Sequence, residues 1–181
     1  GGGGGAATIT GQAVDDGSLQ PVRNAVAEVG GKTSASTAAN GVFTIAGVPT
    51  GTQTVRVTAP GHDPVQRSAT LTGGSNDVGI YYLPPQVDAG KGVITGRVVS
   101  ASGNTPLGGA IISSGQATAV SRSDGTGRFS LYNVATGTVQ VTFSDPASGA
   151  GTWQYVTVQA GSTPTDIGTV VLSFGPPPPP L

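Results

Sequence analysis

The chain has a single histidine, His62, set beside Asp63 in the stretch "APGHDPV". An imidazole next to a carboxylate is the start of a metal site or a general base. A metal needs further ligands, and a base needs an oriented nucleophile; the loop, closed by a proline on each side, offers neither. His62 is therefore expected to pack in a structural role. Asp15, Asp16 and Asp124 stand in turns beside glycine. Calcium takes roughly six to eight oxygens, and these acids lack the alternating acidic loop that would supply them. They fit the turn role, in which an aspartate bonds its own backbone. Glu28 and Lys32 are placed to make a weak surface pair or to face water. Trp153 and Tyr155 lie two residues apart, so on a strand they share a face. That spacing fits a carbohydrate platform, or a tryptophan buried in a core or at a domain contact. The sequence has no cysteine, which removes disulfides, thiol catalysis and thiolate metal sites together. No catalytic residue, cofactor site or metal site is expected, and enzymatic activity is not.

The elements that would carry these residues are strands. Charged residues make up 9% of the 181 positions, against roughly a quarter in an average domain. Glycine is abundant, at 31 residues, and Val, Ile and Thr fill the intervals, a mixture that favours short strands joined by tight turns. Phe43 and Ile45 alternate with Val42 and Thr44, and Val55 and Val57 alternate with Thr54 and Arg56. Phe129 with Leu131, and Val139, Val141 and Phe143, repeat the pattern. Such alternation means one buried face and one wet face. Sustained helical periodicity is lacking. Eight basic residues scattered along the chain form no patch, which argues against nucleic acid as a partner. No apolar run reaches the roughly 18 residues of a transmembrane segment.

The chain also repeats itself. "ITGQAV" from Ile9 returns as "ITGRVV" from Ile94, and "NGVFTIAGVPTGTQTVRV" from Asn40 answers to "TGRFSLYNVATGTVQVTF" from Thr126. "GGSNDVGIYYL" from Gly73 answers to "AGSTPTDIGTVVL" from Ala160. The period is one small domain long, so the copies are tandem domains and not solenoid repeats. Seven or so strands per copy predict two Greek-key β-sandwiches, with Phe43, Ile45, Val55, Val57, Phe129, Leu131, Val141 and Phe143 in their cores. The expected organisation is a glycine-rich extension over 1–7, sandwiches over 8–85 and 93–174, a stiff linker over 86–92, and a polyproline tail over 175–181.

The order "ITGxVV…PLxGAxI…DGxGxFxLxNVxxGxxxVxF" resembles the carboxypeptidase regulatory domain, a transthyretin-like sandwich akin to the collagen-adhesin B-type domains. The resemblance covers Thr8 to Leu83 and Val93 to Leu172, and rests on turn glycines and core positions. It implies stalk, spacer, adhesin or accessory roles. Some B-type domains carry a Lys–Asn isopeptide bond assisted by an acid. With only Lys32, Lys91 and a single glutamate, Glu28, in the chain, neither copy has that set, and no such bond is expected.

The ends complete the reading. Gly1, Gly2, Gly3, Gly4 and Gly5 open the chain, and Pro176, Pro177, Pro178, Pro179 and Pro180 lie near its close. A polyproline helix offers carbonyls and has no N–H donors, whereas a glycine run offers both and allows close approach. Pairing one run with the other on a second copy gives a head-to-tail contact that does not close, and hence a fibre. The expected function is a self-assembling extracellular filament or array subunit whose partner is itself. The alternative is a monomeric surface lipoprotein or adhesin-type spacer that recognises glycan or a cell-surface protein. The chain holds no methionine, so Gly1 is read as following a removed export signal or an upstream segment. The expected location is secreted or cell-surface, in a bacterium or archaeon.

Overall fold

The computed structural model describes residues 5–174. The chain forms two compact units that divide between Gln86 and Val87, with Gly17–Leu19 grouped in the second. The first carries β1 (Ala7–Asp15), β2 (Val26–Val29), β3 (Lys32–Thr33), β4 (Val42–Val48), β5 (Gly51–Thr58), β6 (Val65–Leu71) and β7 (Gly74–Leu83). The second carries β8 (Lys91–Ser100), β9 (Ile111–Ser114), β10 (Ala117–Val120), β11 (Arg128–Ala135), β12 (Gly137–Ser144), β13 (Gly151–Val158) and β14 (Thr165–Leu172). Each unit has two sheets. In the first their orders are β4-β1-β7 and β3-β2-β5-β6; in the second they are β11-β8-β14 and β10-β9-β12-β13. The two units thus share one topology, strand for strand. Within each unit the second and third strands, and the fifth and sixth, pair as neighbours in the four-stranded sheet. The other connections cross between sheets, and the first strand runs parallel to the last. The fold is all-β, two tandem transthyretin-like sandwiches of Greek-key type.

The alternating residues point where their period requires. Phe43, Ile45, Val55 and Val57 are buried in the first core, and Phe129, Leu131, Val141 and Phe143 in the second. Each core contains an edge-to-face aromatic pair: Phe43 with Tyr81 at 5.8 Å, and Phe129 with Phe143 at 5.7 Å. Such pairs contribute about 0.5–1.5 kcal/mol beyond their burial. In β4 and β11 the alternation slips by one residue before Val48 and Val134, which return to the core. The slip is made at a left-handed residue, Gly47 in one unit and Asn133 in the other, with φ of +71° and +59°. Asparagine is among the few residues that accept that conformation.

Several short motifs are repeated as three-dimensional devices. Gly41 and Gly127, both left-handed, precede the Phe strands. Their carbonyls accept the Ala13 and Val98 amides at 2.8 and 2.9 Å. A Cβ on either would collide with the carbonyl oxygen of Ala13 or Val98. In the "ITG" runs, Gly11 lies opposite Phe43 and Gly96 opposite Phe129, and the phenylalanine ring occupies the space a Cβ would take. The parallel pairings β1/β7 and β8/β14 both shift register. There the Asp77 and Asp166 carboxylates accept the amides of Gly79 and Gly168 at 2.8 and 2.9 Å. Finally, a buried hydroxyl ties the connection after the first strand to the one after the third. Thr37 accepts from the Ala25 amide and donates to the Val22 carbonyl, and Ser121 does the same with Ala110 and Leu107.

The segment expected as linker is held to the units at both ends. The Pro84 carbonyl accepts the Asp63 amide at 2.8 Å, and the Gln86 amide donates to Gly61 at 3.0 Å. Lys91 and Gly92 already belong to β8, opposite Ala135 and Val134, so that strand starts two residues earlier than expected. Gly92 resembles a linker glycine in sequence. In the structure it is small because a Cβ would strike the Gln159 carbonyl oxygen.

Candidate functional site

His62 sits in the loop between β5 and β6, and its partner is not the adjacent Asp63. Its Nε2 lies 2.8 Å from Oδ2 of Asp15, at the end of β1, and its Nδ1 lies 2.9 Å from the Pro60 carbonyl. Both ring nitrogens therefore face oxygen acceptors, and the ring pins the loop to β1. Among the described residues no group of three or more His, Cys, Asp or Glu could hold a metal ion. Asp124 accepts from the Thr126 hydroxyl and from the Thr126 backbone amide at 3.0 Å; the hydroxyl bond, ahead of the amide bond, holds its carboxyl below the ordinary value. Asp145, in the turn after β12, accepts the Ser148 hydroxyl and the Ala147 amide. The Ser148 bond, ahead of the amide bond, lowers its carboxyl too. These aspartates are turn formers. Glu28 and Lys32 are exposed and make no ion pair with each other.

The four-stranded sheets offer more. In the second unit, residues facing each other across strands share a face. Thr142 lies opposite Trp153, and Gln140 opposite Tyr155; Ser113 lies opposite Thr142 on its other side. The outer face therefore reads Trp153, Thr142, Ser113 in one row and Tyr155, Gln140 in the next. Trp153 is outside the core cluster, so a core tryptophan is not what the fold uses. Tyr155 is 47% exposed. The two rings meet edge to face, with centroids 5.3 Å apart and planes at 88°. They form a corner and not a flat platform. Across β12 from them, where β9 turns into β10, lies a groove of about 450 Å³ that reaches Lys91, Ser113, Gln116, Asn133, Gln140 and Thr142; neither ring lines it.

The first unit has a groove of the same volume in the corresponding place, lined by Glu28, Lys32, Thr54, Arg56 and Gln66 among others. Gln66 lies opposite Arg56, and Ser68 opposite Thr54, in the places of Trp153 and Tyr155. One backbone thus carries a charged face in one unit and a hydroxyl, amide and aromatic face in the other. The sequence reading singled out the aromatic pair but not the grooves, which depend on where β2 and β9 leave their partners.

Of the expected assembly contacts, Gly1 to Gly4 and Pro176 to Pro180 lie outside the described residues. Gly5 is exposed. Ala6 to Thr10, a segment that reads as available for strand addition to another copy, is committed. Its Ala7–Thr10 portion is the central strand of its own sheet, between β4 and β7. At the other end Phe174 is 78% exposed. No helix among the described residues is long and apolar enough to cross a membrane.

The fold defines a tandem of transthyretin-like sandwich modules. Residues 8–80 match the family model of the carboxypeptidase regulatory-like domain. No curated protein sequence matches the chain. Among solved structures it is similar to the Bacillus anthracis TIE protein, at 16% identity and a TM-score of 0.39, over 93% of this chain and 34% of that one. It is also similar to a streptococcal ancillary pilin, at 13% identity and a TM-score of 0.36, over 90% of this chain and 62% of that one. A third is the minor pilin of Streptococcus agalactiae, at 13% identity and a TM-score of 0.33, over 98% and 99% of the two chains. The chain thus spans 34% and 62% of the first two of these proteins.

Proposed function

We infer that the chain is a non-enzymatic structural protein of the cell surface or extracellular space, a subunit that assembles head to tail into a filament or array. The observation that carries this reading is Phe174. It follows the last strand, is 78% exposed, and leads into Gly175 and the proline run. A lone exposed apolar residue is ordinary; this one adjoins a segment that cannot satisfy itself. Ordering each residue costs about 1–2 kcal/mol. A proline run has no donor with which to recover that cost, whereas burying a phenylalanine contributes about 1.5–3 kcal/mol. Each sandwich already closes its own core, so contacts with other copies fall to outer faces and ends. The Gly1–Gly5 run supplies the donors that Pro176–Pro180 lack.

Negative-stain microscopy and size exclusion of the purified chain test this. Fibres or higher oligomers are expected. Deleting Gly1–Gly5, deleting Pro176–Leu181, or making Phe174→Ser should each leave folded monomers that no longer assemble. Dispersed monomers from the intact chain, or assembly that survives both deletions, would refute it.

A further inference from the structure

We propose that the outer face of the β10-β9-β12-β13 sheet is a binding site for a neutral oligosaccharide. A sugar ring has an apolar face of C–H bonds and a rim of hydroxyls. Its C–H groups are drawn to the negative face of an aromatic ring, and its hydroxyls need partners that both donate and accept. The second unit supplies both on neighbouring strands of one sheet face. The Trp153 and Tyr155 corner offers a ring face bordered by a second ring standing across it. Across β12 from that corner run Gln140, Thr142 and Ser113, the last two joined by a 2.7 Å hydroxyl bond. The side-chain amides of Gln116 and Gln140, each donor and acceptor, make no hydrogen bond among the described residues. The groove they help line, about 450 Å³, falls in the roughly 300–1,000 Å³ range of small-molecule sites.

Charge fixes the ligand class. Lys91 is the one charged residue lining this groove, too little to select an acidic polymer. The first unit shows that the fold does not impose such a surface. At the matching positions it carries Glu28, Lys32, Arg56 and Gln66 around a groove of equal volume, and Gln66 and Ser68 stand where the second unit has Trp153 and Tyr155. The neutral aromatic face is therefore a property of the second unit's own sequence and not of the shared backbone.

Trp153 is the single tryptophan of the chain, so its emission reports on this face directly. The intact protein would be titrated with cellohexaose, maltohexaose and mannohexaose, and with an oligogalacturonate as the acidic comparator. A saturable change in emission with at least one neutral hexasaccharide is expected, with little response to the acid. Tyr155→Ala and Gln140→Ala should each weaken binding by about tenfold. Tyr155→Phe should retain it, and Ser68→Ala, on the first unit's face, should leave it unchanged. Tyr155 lies outside the core, so its replacement leaves the fold intact, which circular dichroism would verify. No saturable change with any neutral hexasaccharide, an equal response to the acid, or undiminished binding by Tyr155→Ala would overturn the proposal.

Discussion

Gly127→Ala separates two costs that are usually confounded. The residue has φ of +66°, a left-handed conformation that costs an L-residue about 1–2 kcal/mol. A Cβ there would also strike the Val98 carbonyl oxygen, with the Leu107 amide nitrogen at 3.1 Å and the Pro106 Cβ at 3.3 Å behind it. That oxygen is not free to retreat, because it accepts the Leu107 amide at 2.9 Å while the Val98 amide is bound to Gly127. Overpacking of this kind costs about 1–3 kcal/mol. Gly115 is the control: its φ is +58° and nothing lies within 4 Å of a Cβ. Gly115→Ala should lose about 1–2 kcal/mol, and Gly127→Ala about 2–5 kcal/mol, the sum of the two terms. The stabilisation that alanine brings by restricting the unfolded chain, about 0.4–1 kcal/mol, is common to both and cancels in the difference. Urea unfolding followed by Trp153 emission reports the second unit, with the slope checked for constancy. Equal losses for the two variants, or a more stable Gly127→Ala, would refute the steric account.

Other expected outcomes follow from the same geometry. Ser121→Ala should destabilise the second unit by about 1–3 kcal/mol, because it strands the Ala110 amide and the Leu107 carbonyl in the interior; urea unfolding measures it. His62→Ala should cost the first unit no more than about 1 kcal/mol, since the partners are part-exposed at 16% and 21% and such pairs are weak. Asp145 has a folded value below its ordinary 3.8, so its contribution is present above that pH and is lost as pH falls through the lower folded value. Asp145→Asn should flatten that acid dependence in urea midpoints. Chelator should leave the melting temperature unchanged, and intact mass should equal the sequence mass with no loss of ammonia or water; a shift in either would reveal a metal or a cross-link.

The strands, the repeat and the core were legible because period-two alternation is local and the copies check each other. The contact between His62 and Asp15 was not. It spans 47 residues, and only the folded topology brings the end of β1 to that loop. The aspartate bulges at Asp77 and Asp166 read as ordinary turn chemistry until the register shift gives them a place. Ser121 and Thr37 look like surface hydroxyls in sequence, because nothing local says that their loops are covered. Gly92 shows the converse error, a packing glycine that composition assigns to a linker.

β13 carries the lesson furthest. In "TWQYVTV" one phase holds Trp153, Tyr155 and Thr157, and the other holds Thr152, Gln154, Val156 and Val158. Hydrophobicity within the strand does not decide which phase faces inward, and aromatic bulk argues for Trp153. The neighbouring strand decides. Val139, Val141 and Phe143 of β12 pair with Val156, Gln154 and Thr152, and partners across a pair must share a face. Burying Trp153 would require a one-residue slip that turned every inward residue of β13 outward. The second unit therefore tolerates half-buried Gln154 and Thr152 on the inward face and leaves Trp153 half-buried and Tyr155 exposed on the outer one. An arrangement that gives up apolar burial in the core to present those rings outside marks the face where stability is not the governing demand, and that is the face assigned here to the sugar.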